Sequence, residues 1–372
     1  MKHTMLAAAM MLAASGLPLQ AQETLTTDPT LPTTRVGTRG ATFLHLGVGA
    51  RAQALAGAYG ALADDVSALY WNTAGIGKLD GFSAAFSQAN LYDGLGIEHT
   101  FVGVVLPVGL TRLGLSLNTL TSGEMPWQDP GFPNNEFGGD PNPLRPNFEW
   151  TGTAVGLHLS RPITDRLLFG GALKYVREGI QGAEATYIGG DLGTSFRTGL
   201  YGVTLGASLT NLGSSARMEG RLLESRVNTG GSETSIAQFI RIVELQSLAT
   251  ELELPTAFRF SVMADLIGDA TAMLAPNPDQ SLRLLVDLTE PTDADLQTAM
   301  GLEYGFREMA FLRAGKRWYN EAQISRGFSH GAAFGAGLRV PVGDIGRLQL
   351  DYAYTSLVDL EKVQVFSVEI HF

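Results

Sequence analysis

From about residue 81 onward, apolar and polar side chains alternate with a period of two. At the end of the chain Phe366, Val368, Ile370 and Phe372 alternate with Val365, Ser367, Glu369 and His371. Leu348, Leu350, Tyr352 and Tyr354 keep the same rhythm against Arg347, Gln349, Asp351 and Ala353, and Phe258, Phe260 and Val262 repeat it against Arg259 and Ser261. Alternation sustained over about eight residues describes a strand with one apolar and one polar face. The pattern predicts fourteen such strands, near 81–91, 97–107, 111–119, 148–160, 166–178, 184–197, 199–212, 255–266, 281–289, 296–306, 308–317, 330–341, 346–356 and 362–372. A tilted strand of ~9–11 residues crosses a bilayer, and bacterial barrels have even strand numbers. The predicted fold is therefore all-β, a 14-stranded antiparallel transmembrane β-barrel over residues 79–372.

The connections supply an independent test. If the first strand rises from the periplasm, loops after odd strands face outward and are the longer ones. Those after strands three and seven, roughly 120–147 and 213–254, are the longest, whereas Val108–Leu110, Arg161–Asp165 and Val342–Ile345 are tight. Ile267–Gln280 and Gly179–Ala183 break the parity. On balance it puts both ends of the barrel segment in the periplasm.

The N-terminal residues do not follow this pattern. Lys2 and His3 precede an apolar run from Met5 to Leu17 that ends in Pro18–Ala21, which reads as a signal peptide over 1–21. Residues 22–40 are a polar leader, and 41–78 form a segment rich in Ala and Gly. No later run of 18 or more apolar residues predicts a membrane helix.

Composition narrows the field further. With no Cys, the chain has no disulfide framework, thiolate metal site or catalytic thiol. A net charge of -11 argues against a nucleic-acid partner. Gly is in excess, 45 of 372 residues against a usual ~7%. Several glycines fall on the predicted lumen face, among them Gly301, Gly305, Gly315, Gly335 and Gly337. They either leave room for something inside the barrel or relieve curvature. Arg259, Asp265, Arg283, Asp287, Glu303, Arg313, Arg339 and Asp351 share that face and are expected to pair across neighbouring strands.

Candidate chemistry is sparse. Gly47–Ala52 fits the dinucleotide turn G-x-G-x-x-A, but no βαβ unit follows to give it context. Six scattered His residues show no metal-ligand spacing. Ser160 lies two residues from His158 on one strand face, a pairing that arises readily by chance. Asp129, Asn134, Asn135, Glu136 and Asp140 cluster oxygen ligands in a long loop, which reads first as a solvated external loop. No cofactor, metal or catalytic residue is expected. Residues 232–249 carry Ile236, Phe239, Ile240 and Val243 at helical spacing. This predicts an outward helix that is a lid, a partner-docking surface or an ordered loop packed on the rim.

The stretch around Gly47, Gly49, Ala50, Arg51 and Ala52, followed by Gly57-Ala58-Tyr59-Gly60-Ala61 and by Ala63-Asp64-Asp65 through Trp71-Asn72-Thr73-Ala74-Gly75, resembles the N-terminal signature of the PorV/PorQ family. That family belongs to the group of fourteen-stranded barrels like the fatty-acid transporter FadL. The chain departs from the pattern at Thr73, where Pro is usual, and at Leu55 and Ala56, where Met and Gly are common. The resemblance implies an N-terminal hatch folded inside the lumen over 41–78, with Gly49, Arg51, Gly57, Tyr59, Asp64, Asp65, Trp71, Asn72 and Gly75 as its motif. Small side chains over Ala50–Leu62 suit a short helix against the wall, Asp64 suits the cap of the next turn, and Val66, Leu69 and Tyr70 supply an apolar face. The alternating C-terminal residues Phe366, Val368, Ile370 and Phe372 look like the signal by which outer-membrane barrels meet the insertion machinery. By resemblance the protein is an accessory barrel of type IX secretion or surface assembly, with secretion-system proteins or secreted cargo as partners. The alternative is a FadL-like channel for a hydrophobic ligand such as a fatty acid. Either way its setting is outer-membrane lipid.

Overall fold

The structure is a computed structural model that describes residues 35, 37–92, 95–126, 147–228, 242–246, 249–319, 331–343, 346–356 and 363–372. The barrel and its contents belong to the unit Val36–Phe372. Fourteen strands make the wall: β1 (Ser83–Leu91), β2 (Ile97–Val108), β3 (Thr111–Thr121), β4 (Trp150–Pro162), β5 (Leu167–Ile180), β6 (Ala183–Arg197), β7 (Val203–Gly213), β8 (Ala257–Gly268), β9 (Gln280–Pro291), β10 (Gln297–Phe306), β11 (Ala310–Tyr319), β12 (Ala332–Val342), β13 (Gly346–Thr355) and β14 (Val363–His371). Each pairs with its sequence neighbours, β7 with β8 included, and β14 closes on β1 in antiparallel register with Phe86 opposite Val368. Closure leaves no unpaired edge, the condition a sheet must meet in lipid.

The period of two maps onto the two faces. On β3, Leu113, Leu115 and Leu117 are exposed while Gly114, Ser116 and Asn118 point inward. Exposed Leu157, Leu173, Ile188, Leu302, Leu312 and Phe334 carry the outer apolar surface round the wall. Phe366, Val368, Ile370 and Phe372 belong to it, and the Phe372 amide donates to Phe82 O at 2.8 Å. Most tight turns lie at one end, as at Gly109–Leu110 between β2 and β3. Both exceptions to the loop parity are present: β5 and β6 are joined by Gln181–Gly182 alone, and β8–β9 has a long connection that includes the short strand Ala275–Pro276.

Two irregularities interrupt the ladders. Leu266 is extra on β8, between the pairs Asp265–Arg283 and Ile267–Leu282. On β7, Thr210 and Asn211 stand opposite the single residue Asp191 of β6, with Asn211 at φ 58°. Such bulges bend a strand and re-aim side chains.

The outer loop after β7 departs from expectation. Ile242–Gln246, which includes Val243, is a strand paired with Glu224–Asn228, where a helix over 232–249 was expected. The backbone register pairs Val243 with Val227 in that hairpin, and strand partners outweigh a short helical spacing. Ile236, Phe239 and Ile240, and the oxygen-rich loop residues Asp129 to Asp140, lie outside the described residues.

Candidate functional site

The interior is filled by the N-terminal segment. A 3-10 turn (Thr42–His45), helix α1 (Ala50–Ala54), helix α2 (Ala68–Trp71) and a second 3-10 stretch (Thr73–Lys78) follow one another within the barrel. α1 packs on β11 to β14, and Thr73–Lys78 on β3 to β6, so the plug spans the lumen between different sectors of the wall. Trp71, Tyr59, Leu55, Leu69 and Ile76 are among its fully buried side chains. Each contributes roughly 1.5–3 kcal/mol by leaving water.

Wall glycines are the imprint of this plug. A Cβ on Gly315 would collide with the Leu55–Ala56 backbone, and one on Gly206 would lie 2.7 Å from Gly60 O. Of the two readings of the lumen glycines, the need for room holds at these positions, because the object in that room is the chain's own N-terminus.

Polar main-chain groups inside an apolar enclosure need partners, and the wall supplies them. Asp287 accepts from the Tyr59 and Gly60 amides at 3.1 and 2.9 Å, and Glu369 from Val66 N at 2.8 Å. Ser87 and Ser367 accept from Gly49 N and Ala50 N, while Arg317 donates to Ala56 O and Ser208 to Trp71 O. Asn72 bridges plug and wall through Gly60 O and Thr194 O, both at 2.9 Å.

Arg51 holds the centre. Its guanidinium donates to Glu303 on β10 at 2.8 and 2.9 Å and to Asp64 at 2.5 Å. Glu303 also accepts from Arg313 at 2.7 Å and Arg283 at 3.0 Å, and Arg313 reaches Asp351 at 2.6 Å. The lumen charges thus pair across strands as expected, and Arg51 completes the network from the plug. Burial alone would lower the Arg51 pKa, but Asp64 and Glu303 hold it well above its ordinary range. Burial would likewise raise the Asp64 carboxyl, which Arg51 instead keeps low. Burial raises the Tyr59 hydroxyl well above its usual value, and that hydroxyl donates to Asp65 at 2.5 Å.

The motif residues therefore meet in one plug. Gly49 takes φ 79° before α1, Trp71 Nε1 donates to Val48 O at 2.8 Å, and Gly75 packs against the Ala63 backbone. Asp64 does not cap the next turn, since its carboxylate is held by Arg51; Asp65 accepts from Ser67 N at 3.0 Å just ahead of α2. At the end of the polar leader, Gly40 N donates to Glu253 O at 3.0 Å and Arg39 pairs with Glu253. Ser160 and His158 do not form a dyad. Ser160 donates to Ala74 O, and His158 instead meets Ser116 at 2.8 Å and Thr73 at 3.3 Å, both buried.

Two cavities flank the plug and share no lining residue. A vestibule of about 870 Å³ at the short-turn end is lined by Asp64, Lys78, Arg166, Arg197 and Arg347 among others. Lys78 donates to Ala61 O and Leu62 O there, and burial lowers its pKa to about 8. Toward the long loops lies a cavity of about 270 Å³. Leu44, His45, Leu46, Gly57, Tyr70 and Trp71 of the plug line it, with Lys174, Asn211, Arg259 and Arg317 from the wall. Asn211 sits at the β7 bulge, where Asp191 holds Lys174 at 2.6 Å and accepts from Asn211 N at 2.8 Å. Sequence reasoning missed Lys174, Arg317 and the serines that hold the plug. Their only signal is an inward position in the period of two.

A closed fourteen-stranded wall with an apolar exterior and an internal N-terminal plug defines a transmembrane β-barrel of the bacterial outer membrane. The fold is FadL-like. The Ralstonia pickettii toluene transporter TbuX superposes with a TM-score of 0.54 at 11% identity, over 88% of this chain and 98% of that one. The P. putida toluene transporter TodX gives 0.53 at 12% identity, over 87% and 96%. A Pseudomonas aeruginosa FadL homologue gives 0.49 at 13% identity, over 85% and 95%. Neither a protein-family model nor a curated protein sequence matches the chain.

Proposed function

We propose that the protein is a gated passage for hydrophobic small molecules across the outer membrane. The observation that carries this reading is the 270 Å³ cavity, which opens on the long-loop side and is floored by Trp71 and Tyr70 of the plug. Its rings and aliphatic side chains suit a small apolar body, since ligand sites combine apolar walls with a few placed polar groups. The plug parts this cavity from the vestibule below, so entry and release need separate openings, and movement of the plug is the step that joins them. The similar folds of two toluene transporters agree with this reading.

Uptake of labelled toluene or decanoate into outer-membrane vesicles carrying the protein tests it. Ala299→Trp, which fills the cavity from β10, is expected to reduce uptake toward the level of vesicles without the protein. Wild-type uptake no greater than that background overturns the proposal. The accessory role in type IX secretion draws its support from the N-terminal signature. Its residues serve the plug, which both roles require, so they do not separate the two. Co-purification of secretion-system proteins from solubilised membranes would favour secretion, and bound lipid or hydrocarbon would favour passage.

A further inference from the structure

The cavity above the plug has a one-sided electrostatic lining. Lys174 of β5, Arg259 of β8 and Arg317 of β11 face it, and no Asp or Glu among the described residues lines it. The carboxylates nearest these cations stand behind the lining, and neutral acceptors meet two of the cations as well: Lys174 donates to Asn211 Oδ1 at 2.9 Å, and Arg259 to Trp71 O at 3.0 Å and Thr289 Oγ1 at 3.3 Å. Asp191 is 4% exposed, at 2.6 Å from Lys174, and also accepts from Asn211 N. Asp287 lies 3.9 Å from Arg259 and is engaged by the plug amides of Tyr59 and Gly60. Arg317 spends its Nε on a neutral group, Ala56 O. His45 is held by Asp293 at 2.9 Å.

A partly buried cation is costly unless an anion or several acceptors meet it. Three of them around one small space make that space attractive to negative charge. The remaining lining is largely apolar or aromatic. Arg259 stacks over Trp71 at 4.7 Å from its ring, and the Tyr70 hydroxyl is tied to Leu44 O at 2.9 Å, so both rings present carbon surface. The volume, about 270 Å³, is at the low edge of the usual range for ligand sites of ~300–1,000 Å³. It fits a single ring with a charged substituent and is short for a long acyl chain.

Building on the passage reading, we infer that this cavity binds a small aromatic carboxylate, its ring against Trp71 and Tyr70 and its carboxylate among Lys174, Arg259 and Arg317. A neutral hydrocarbon of the same size satisfies the rings and places no anion on the cavity side of the cations.

The test is equilibrium binding of labelled benzoate and labelled toluene to the full-length protein in nanodiscs, corrected for partition into protein-free discs. Benzoate is expected to bind at least tenfold more tightly than toluene. Arg317→Gln and Lys174→Gln, each checked for heat-modifiable barrel, are expected to weaken benzoate about tenfold or more, since charge-assisted bonds are lost. Toluene should change less than twofold. Toluene binding equal to or tighter than benzoate overturns the inference and leaves the passage reading standing. Benzoate binding that neither variant changes also overturns it, because the site then lies elsewhere. Binding of neither ligand counts against both.

Discussion

Replacing Glu303 with Gln removes the one buried anion that three guanidiniums share. Glu303 accepts from Arg51 twice, at 2.8 and 2.9 Å, from Arg313 at 2.7 Å and from Arg283 at 3.0 Å. Removing one partner of a buried ion pair costs roughly 3–5 kcal/mol. Only part of that bears on the plug. Arg283 and Arg313 are wall residues and lose their partner whether or not the plug is docked, whereas Arg51 loses it only in the docked state. Two of the four bonds come from Arg51, so about half the cost, ~2 kcal/mol, falls on docking. At 1.4 kcal/mol per decade this is about a thirtyfold rise in the undocked population. Amide hydrogen exchange of the protein in nanodiscs reads that population directly. Exchange over residues 50–64 should accelerate about thirtyfold, while amides in the β1–β14 ladder change less than threefold. Unchanged exchange in 50–64, or an equal rise through the wall strands, would refute the reasoning.

Other outcomes rest on the same packing. Gly315→Val, whose side chain would enter the Leu55–Ala56 backbone, should dislodge α1 and raise ion conductance in planar bilayers, and a silent variant would show that the wall yields there. The Asp64 carboxyl titrates below its ordinary value, so its contribution is complete above an unfolded pKa of ~3.9 and is lost only as pH falls through the lower folded value. Plug protection, corrected for intrinsic exchange, should therefore hold from pH 7 to 5, and a loss over that interval would contradict it. Lys78 has the opposite consequence at high pH. With its folded pKa lowered to about 8 and an unfolded value of ~10.4, docking should tighten from pH 8 to 10, and Lys78→Met should abolish that rise. Phe372→Ala, at the last residue of the outer apolar surface, should slow barrel assembly, and normal amounts of heat-modifiable barrel in pulse-chase would refute this.

The wall was legible because its physics is local. Each strand must offer lipid every second side chain, so Phe366 to Phe372 or Leu113 to Leu117 announce themselves within a few residues. The plug was legible as a segment, through its small residues and its motif. Its contacts were not, because Arg51 meets Glu303 across 252 positions and Val66 meets Glu369 across 303. Nothing near Asp64 or Asp65 tells which of them an arginine will claim. Val243 shows a different limit. Its spacing with Ile240 suits a helix, yet Val243 and Leu245 also alternate with Glu244, and the pairing with Glu224–Asn228 favours the strand. Lys174 and Arg317 carry no sequence mark beyond an inward position, and only the folded plug shows what space they bound.

The position of the plug has a consequence for how the molecule is built. Residues 41–78 form its innermost layer, covalently continuous with β1 through Leu79–Phe82 and held by strands right round the wall. Because it packs on β11 to β14 at one end and on β3 to β6 at the other, the segment ties together sectors of the wall that share no ladder.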